Sequence, residues 1–426
     1  MNDGNDLLRV DFHTQDFSEG GSVAVKGTVL VKALPIAVAV LLVLLVGGVS
    51  YFEFTRPSPY PIPIPITNVA LPQGKPYRQL TTGIWNDRWP TWSPDGKAIA
   101  YVSDRGGLWS IWVMNANGSA ARQLSPSGAI ATNPSWSPDS SRLAYWCLEG
   151  SSASIRIVAL SDSSTITLTR GDVMAVKGTM RWSPDGSHLL FYTMDRGAHL
   201  ALADVGTRTT KILAEVSGDL LTADWATPDR VLFTNKVGGH YEIDWLDMNG
   251  GATGVLLRGD GDFVSPAVSA NSTLVSYYSD MIPNLNGTQF QLGGGYGGYN
   301  IWICRADGGN AIFQFVWAAE QYRSGIVVRM PYTAGDIDYS TPPSWSSNGK
   351  KLLYSSFASS TGSGLYLWDT GNWSTSRVGP YGGDEQDPSW SPDGINAAFS
   401  CNIGGYFHIW VIDTRGAGGP GAVGGY

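Results

Sequence analysis

Residues 90–125 read PTWSPDGKAIAYVSDRGGLWSIWVMNANGSAARQLS. Four short runs in this stretch have strand character: PTWS, AIAYVS, SIWVMN and ARQLS. The middle two carry the β-branched and aromatic side chains that suit a pleated sheet. Ser-Pro-Asp-Gly between the first two is turn chemistry, because proline presets φ and glycine tolerates positive φ. The stretch therefore reads as one antiparallel sheet of strands a, b, c and d.

The unit recurs along the chain. TWSPDGKAIAYVSD at Thr91 is followed by SWSPDSSRLAYWCL at Ser135, RWSPDGSHLLFYTM at Arg181 and DWATPDRVLFTNKV at Asp224. AVSANSTLVSYYSD at Ala267 has lost the tryptophan; SWSSNGKKLLYSSF at Ser344 and SWSPDGINAAFSCN at Ser389 complete the series. The anchors Trp92, Trp136, Trp182, Trp225, Val268, Trp345 and Trp390 are spaced 44, 46, 43, 43, 77 and 45 residues apart. A period near 44 with four short strands per unit predicts a β-propeller. One small sheet cannot bury both faces, so such units stack face to face around an axis.

Seven units predict an all-β, seven-bladed propeller with four-stranded blades. The last unit reaches strand c at FHIWVID (407–413) and then runs out into TRGAGGPGAVGGY. The stretch PYRQLTT (76–82) matches the strand d pattern. An N-terminal strand is thus expected to complete the last blade and remove an open edge. The long spacing of 77 places inserted loops at 281–298 and 318–339, in or after the fifth blade.

These residues resemble the TolB-like propeller repeat, a relative of WD-repeat propellers. The resemblance rests on Trp92-Ser-Pro-Asp-Gly, Ile111-Trp-Val and Arg122-Gln-Leu, and it covers about residues 75–414. It implies a channel mouth whose loops receive a partner protein. Some similar seven-bladed propellers are oligogalacturonate lyases, whose metal site needs several histidines.

Such a set is not legible here. His13, His188, His199, His240 and His408 fall in different blades or in the head, without metal-ligand spacing. No G-x-S-x-G elbow, phosphate loop or dinucleotide fingerprint is present. The expectation is no catalytic residue, no cofactor and no metal. A net charge of −8 without a basic run excludes a nucleic-acid partner. Cys147, Cys304 and Cys401 make neither a disulfide framework nor a zinc site.

The N-terminal part divides differently. Residues 1–32 form an acidic head, expected to be irregular and cytoplasmic. ALPIAVAVLLVLLVGGVSYF (33–52) carries no charge over 20 residues, enough to cross a bilayer as one helix. Lys26 and Lys32 before it favour an inside N-terminus, with the propeller on the periplasmic or extracellular side. RPSPYPIPIPI within 53–75 reads as a stiff polyproline stalk, 76–414 as the propeller, and 415–426 as a Gly-rich tail.

Candidate contact residues lie in the loops entering strand a and in the inserted loops. They are Trp85, Asp87, Arg88, Trp89, Asn133, Arg181, Asp224, Asp262, Tyr296, Tyr299, Tyr322, Asp338, Tyr339, Asp384, Glu385 and Asp387. Aromatic and charged residues of this kind anchor protein interfaces, and a ring of carboxylates suits a cation or a basic segment. Asn117, Asn271, Asn286 and Asn372 head glycosylation sequons. The leading expectation is a non-catalytic interaction module or accessory subunit of a membrane or envelope complex. The alternatives are a glycan-binding or cell-surface structural protein, and a metal-dependent lyase or hydrolase at the channel mouth.

Overall fold

The computed structural model describes residues 7–15, 24–32, 77–171, 180–194, 197–218, 222–259, 261–279, 282–283, 289–290, 300–306, 342–359, 362–369, 374–380 and 383–416. The chain forms two compact units, 1–62 and 63–426.

In the first unit Leu7–Gln15 pairs antiparallel with Ala24–Lys32, Leu7 opposite Lys32 and Gln15 opposite Ala24. Acidic composition marks this head as irregular chain, yet the ladder follows a different signal. Leu8, Val10 and Phe12 alternate with Arg9, Asp11 and His13, the period of a strand. The expected spanning segment 33–52, the stalk 53–75 and tail residues 417–426 lie outside the described residues. Among the described residues no helix is long and apolar enough to cross a membrane.

The second unit is a seven-bladed propeller. Blade one is Asp87–Trp92, Ala98–Ser103, Ser110–Asn115 and Arg122–Gln123, strands a to d in order. Blades two, three, four and six repeat that order. Blade five shows strands Phe263–Val268, Leu274–Ser279 and Asn300–Arg305, and residues 307–341 after them lie outside the described set. Within its insertion Ile282–Pro283 pairs with Gln289–Phe290.

Blade seven closes as the sequence predicts. Strands Glu385–Trp390, Asn396–Cys401 and His408–Asp413 are completed by Tyr77–Gln79, which sits opposite Ile412, Val411 and Trp410. Each strand a touches strand a of the next blade all the way round, so these seven strands line the central axis. Hydrophobic clusters sit at the joints between blades rather than in one central core. The joint of blades one and two, for instance, packs Val102, Ile111 and Val113 against Trp136, Leu143 and Tyr145.

Two repeated devices explain why the motif residues build this fold. The first is a turn box. Ser93 Oγ donates to Asp95 Oδ1 at 2.6 Å and accepts the Ala98 N–H at 3.0 Å, while Gly96 takes a φ of +72°. The same pairing recurs at Ser137–Asp139, Ser183–Asp185, Ser269–Asn271, Ser346–Asn348 and Ser391–Asp393. The second is a lock between blades. The indole N–H of Trp136 donates to the Thr91 carbonyl at 3.0 Å, and that of Trp182 to Ser135 at 2.9 Å. Trp225, Trp345 and Trp390 reach the carbonyls of Arg181, Ala267 and Ser344 in the same way. Where blade five has Val268, its backbone N–H donates to Asp224 Oδ2 at 2.9 Å instead. At the seven–one joint the Trp92 indole N–H has no hydrogen bond, and other groups tie the blades.

Candidate interaction face at the channel mouth

Loops before strand a and between strands b and c share one end of the propeller. A clasp joins them. In blade one the backbone and side-chain N–H groups of Asn86 donate to Asp104 at 2.7 and 2.9 Å, and Asp104 N–H donates to the Asn86 carbonyl. Blade seven has the same clasp with the residues exchanged: Asp384 N–H donates to Asn402 Oδ1, and Asn402 Nδ2 to Asp384 Oδ2. Asn86 Oδ1 also accepts the Phe407 N–H at 3.1 Å. Three loops, 83–87, 104–109 and 402–407, are thereby held together across the seven–one joint.

Beneath them lie two arginine–aromatic stacks, each anchored by a buried acid. Arg105 Nη2 donates to Asp87 Oδ1 at 2.9 Å and to the Tyr101 hydroxyl at 3.0 Å. Its guanidinium lies 5.2 Å from the Trp85 ring and 4.1 Å from Trp112. Burial alone would raise the Asp87 carboxyl; the His408, Ser103 and Arg105 side chains around it overturn that and hold it below the usual carboxylate value. Arg88 bonds Gln386 and stands 3.5 Å from Asp387, with Phe407 at 4.4 Å and Trp89 at 5.5 Å. Trp89 in turn packs 6.0 Å from Trp109 at a tilt of 32°.

Strand a is bulged here. Trp89, Asn133, Ser265 and Asp387 each precede a proline and adopt φ of 53°, 57°, 55° and 59°, and the ladder slips at each. Bulges re-aim side chains, and such φ values in non-glycine residues cost energy that the surrounding contacts must supply.

The surface over this scaffold is apolar. Ile84 is 78% exposed, Leu108 40% and Tyr406 39%, one from each of the three clasped loops. Trp85, Trp89, Trp109 and Phe407 are half-buried among them. Neighbouring Gly106, Gly107 and Gly404 have open space where a Cβ would stand.

The structure thus brings Trp85, Asp87, Arg88, Trp89, Asp384 and Asp387 together at one joint. Among the described residues the carboxylates do not form an open ring. Asp87 and Glu385 are fully buried, and Glu385 accepts the Leu365 N–H at 2.9 Å with Arg377 at 3.5 Å. Asp224 faces Arg181 at 3.5 Å across the three–four joint, its carboxyl raised by burial against that arginine's pull. Asp262 accepts the Tyr241 N–H at 2.9 Å beside His240. Asn133 lies buried in blade two. Tyr296, Tyr299, Tyr322, Asp338 and Tyr339 lie outside the described residues.

Among the described residues no three His, Cys, Asp or Glu side chains group as metal ligands. The three cysteines are free and buried, and burial pushes the Cys401 thiol up to about 12. Of the sequons, Asn271 builds a turn box and Asn117 accepts from Ser119 in an exposed turn; Asn286 and Asn372 lie outside the described residues. Sequence reasoning missed Ile84, Asn86, Asp104, Leu108, Trp109, Tyr406 and Phe407. An Asp or Asn just after strand b, as in AYVSD and AFSCN, is the signal that marks the clasp.

A family model described as the TolB beta propeller domain matches residues 66–229. No curated protein matches the chain. Among solved structures, TolB from Acinetobacter baumannii is similar at 16% identity, over 90% of this chain and 82% of that one, with a TM-score of 0.50. An oligogalacturonate lyase from Vibrio parahaemolyticus is 12% identical over 80% and 94%, with a TM-score of 0.58. The β-propeller domain of the Trilobed protease from Pyrococcus furiosus is 13% identical over 78% and 97%, with a TM-score of 0.54. The propeller is TolB-like; at these identities the likeness is one of fold.

Proposed function

We propose that the chain is a non-catalytic interaction module of a membrane or envelope complex, and that it meets its partner through the face over the seven–one joint. The observation that carries this is that the three loops clasped at this joint each expose one large apolar side chain, Ile84, Leu108 and Tyr406, near the half-buried Trp85 and Trp89 in sequence and strand. Tryptophan, tyrosine and arginine on a rigid, apolar, rimmed patch are the usual anchors of protein interfaces. The charged groups of the mouth support the same reading, because Glu385, Asp387 and Asp224 are engaged in holding blades together and Asp87 in pairing Arg105. In this proposal residues 33–52 tether the module as one helix, and the propeller stands on the periplasmic or extracellular side.

A second reading, glycan binding, draws on the paired rings of Trp89 and Trp109, 6.0 Å apart. The test separates the two. The native membrane is extracted in gentle detergent, and the wild type and an Ile84→Ser/Leu108→Ser variant are compared by size separation and mass spectrometry. A stoichiometric companion that is at least tenfold depleted from the variant is the expected result. Migration of the wild type alone, at its own 45.7 kDa plus detergent, sinks the proposal and sends the protein to a sugar array.

A further inference from the structure

The first unit offers an edge. Among the described residues Leu7–Gln15 is laddered on one side only, to Ala24–Lys32, and the sheet stops at these two strands. A lone two-stranded hairpin is marginally stable in water, and an open edge is a template for another strand. The register collects apolar positions on one face: Leu8 stands opposite Val31, Val10 opposite Val29 and Phe12 opposite Gly27. Arg9, Asp11, His13, Lys26 and Lys32 take positions of the other face.

The two edges differ in charge. Ala24–Lys32 holds Lys26 and Lys32 and no acid, so no register of this strand against its own copy gains an opposite-charge pair. Lysine on an edge is a common guard against pairing. Leu7–Gln15 holds one base and one acid two residues apart, Arg9 and Asp11. Set antiparallel against its own copy with a two-fold axis at Val10, this strand puts Arg9 opposite Asp11 of the second copy, and Asp11 opposite Arg9 of the second copy. Leu8 then stands opposite Phe12, and Val10 opposite Val10, all at positions of the apolar face. Moving the axis to Arg9 or Asp11 sets like charges opposite each other, which is destabilising. Moving it to Phe12 leaves Arg9 opposite Gln15. Registers between these pair apolar with polar positions.

We infer that Leu7–Gln15 is a dimerisation edge, through which two copies of this chain form one four-stranded sheet about an axis at Val10. Such a contact is isologous, so it closes at two copies. Four strands sharing one apolar face exceed the size at which a small sheet becomes stable. The inference goes beyond the interaction reading of the propeller and does not depend on it.

The test is cysteine cross-linking of the full chain in non-ionic detergent at low salt, with copper phenanthroline as oxidant and non-reducing gels as readout. The three native cysteines are buried, so the wild type serves as the blank. Val10→Cys should form a covalent dimer, because directly opposed residues of antiparallel strands sit about 4.5–5.5 Å apart, within disulfide reach. Leu8→Cys and Val29→Cys should cross-link at least about fivefold less. The two copies of position 8 would lie on the order of 13 Å apart along the strands, and position 29 lies on the outer strands. Size separation then weighs the charges without added cysteine. Arg9→Asp turns two attractive pairs into two repulsive ones and should weaken the dimer about tenfold, as should Asp11→Arg. Arg9→Asp/Asp11→Arg restores both pairs in exchanged order and should return the dimer to within about twofold of the wild type.

Equal cross-linking at positions 8, 10 and 29 would mark random collision and overturn the inference. A wild type that stays monomeric would overturn it too, as would a dimer indifferent to both single reversals. Should Val10→Cys disturb the hairpin, the reversal series decides alone.

Discussion

In blades two, three, four, six and seven the tryptophan of the repeat does two jobs that separate cleanly by substitution. Its ring fills the wedge between blades, and its N–H reaches a carbonyl of the preceding blade. Trp136→Phe and Trp390→Phe keep most of the bulk and strand the carbonyls of Thr91 and Ser344. Each should cost about 1 kcal/mol in urea unfolding. Trp92→Phe should be neutral within about 0.5 kcal/mol, because the Trp92 N–H makes no such bond. Equal losses at all three positions would mean that ring volume, not the lock, carries the effect. The turn-box acids make a second residue-scale case. Hydroxyls of Ser137 and Ser183 hold the Asp139 and Asp185 carboxyls down at about 2. A carboxyl lowered on folding contributes stability that is present above its ordinary value of 3.8 and lost as pH falls towards 2. Asn271 and Asn348 hold the same box without a charge. Asp139→Asn/Asp185→Asn should therefore fold normally at pH 7 and show a flatter fall in melting temperature between about pH 4 and pH 2. An unaltered acid limb would show that these boxes do not set it.

At the scale of the element, the closing strand is the part of the fold that was most legible and most exposed to test. Tyr77–Gln79 was readable because it repeats a local pattern, and patterns within one strand survive without tertiary knowledge. It is held by its ladder to strand c, by Leu80 N–H to the Ile409 carbonyl at 2.7 Å, and by Ile409 N–H to Thr81 Oγ1 at 2.9 Å. Deleting 77–82 removes several bonds at about 1 kcal/mol each and bares the edge of His408–Asp413. Thermal unfolding should fall by 10 °C or more, on the order expected for such a loss; an unchanged melt would mean that the ring closes some other way. Thr81→Ala, which removes one bond only, gives a milder drop if the full deletion does not fold. The site was less legible for the opposite reason. Arg88 and Asp387 are neighbours only because the ring closes, and nothing local distinguishes a buried Asp87 from an exposed Asp104. Sequence singled out Trp85, Asp87, Arg88, Trp89, Asp384 and Asp387, which the fold brings to one joint, but it could not say which acids would be spent on joints. The head shows the converse failure, since its strand alternation lay in plain view beneath an acidic composition.

For the whole molecule, the proposal assigns stability and location to different units. Hydrophobic clusters at the blade joints and locks spread around the ring make the propeller depend on closure, so it should unfold as one cooperative step rather than blade by blade. Among the described residues those joint clusters are built from residues 77–412, and 33–52 holds the apolar run. A chain beginning at residue 63 is therefore expected to be recovered in the soluble fraction, to unfold in a single transition, and to melt within about 2 °C of the detergent-extracted full chain. The full chain is expected to stay in the membrane pellet after an alkaline carbonate wash, as a spanning helix requires. Release of the full chain by that wash would remove the anchor from the proposal and leave the propeller untouched. Aggregation of the shorter chain would have a separate meaning: the ring would then need the first unit, and the division between location and stability would fail.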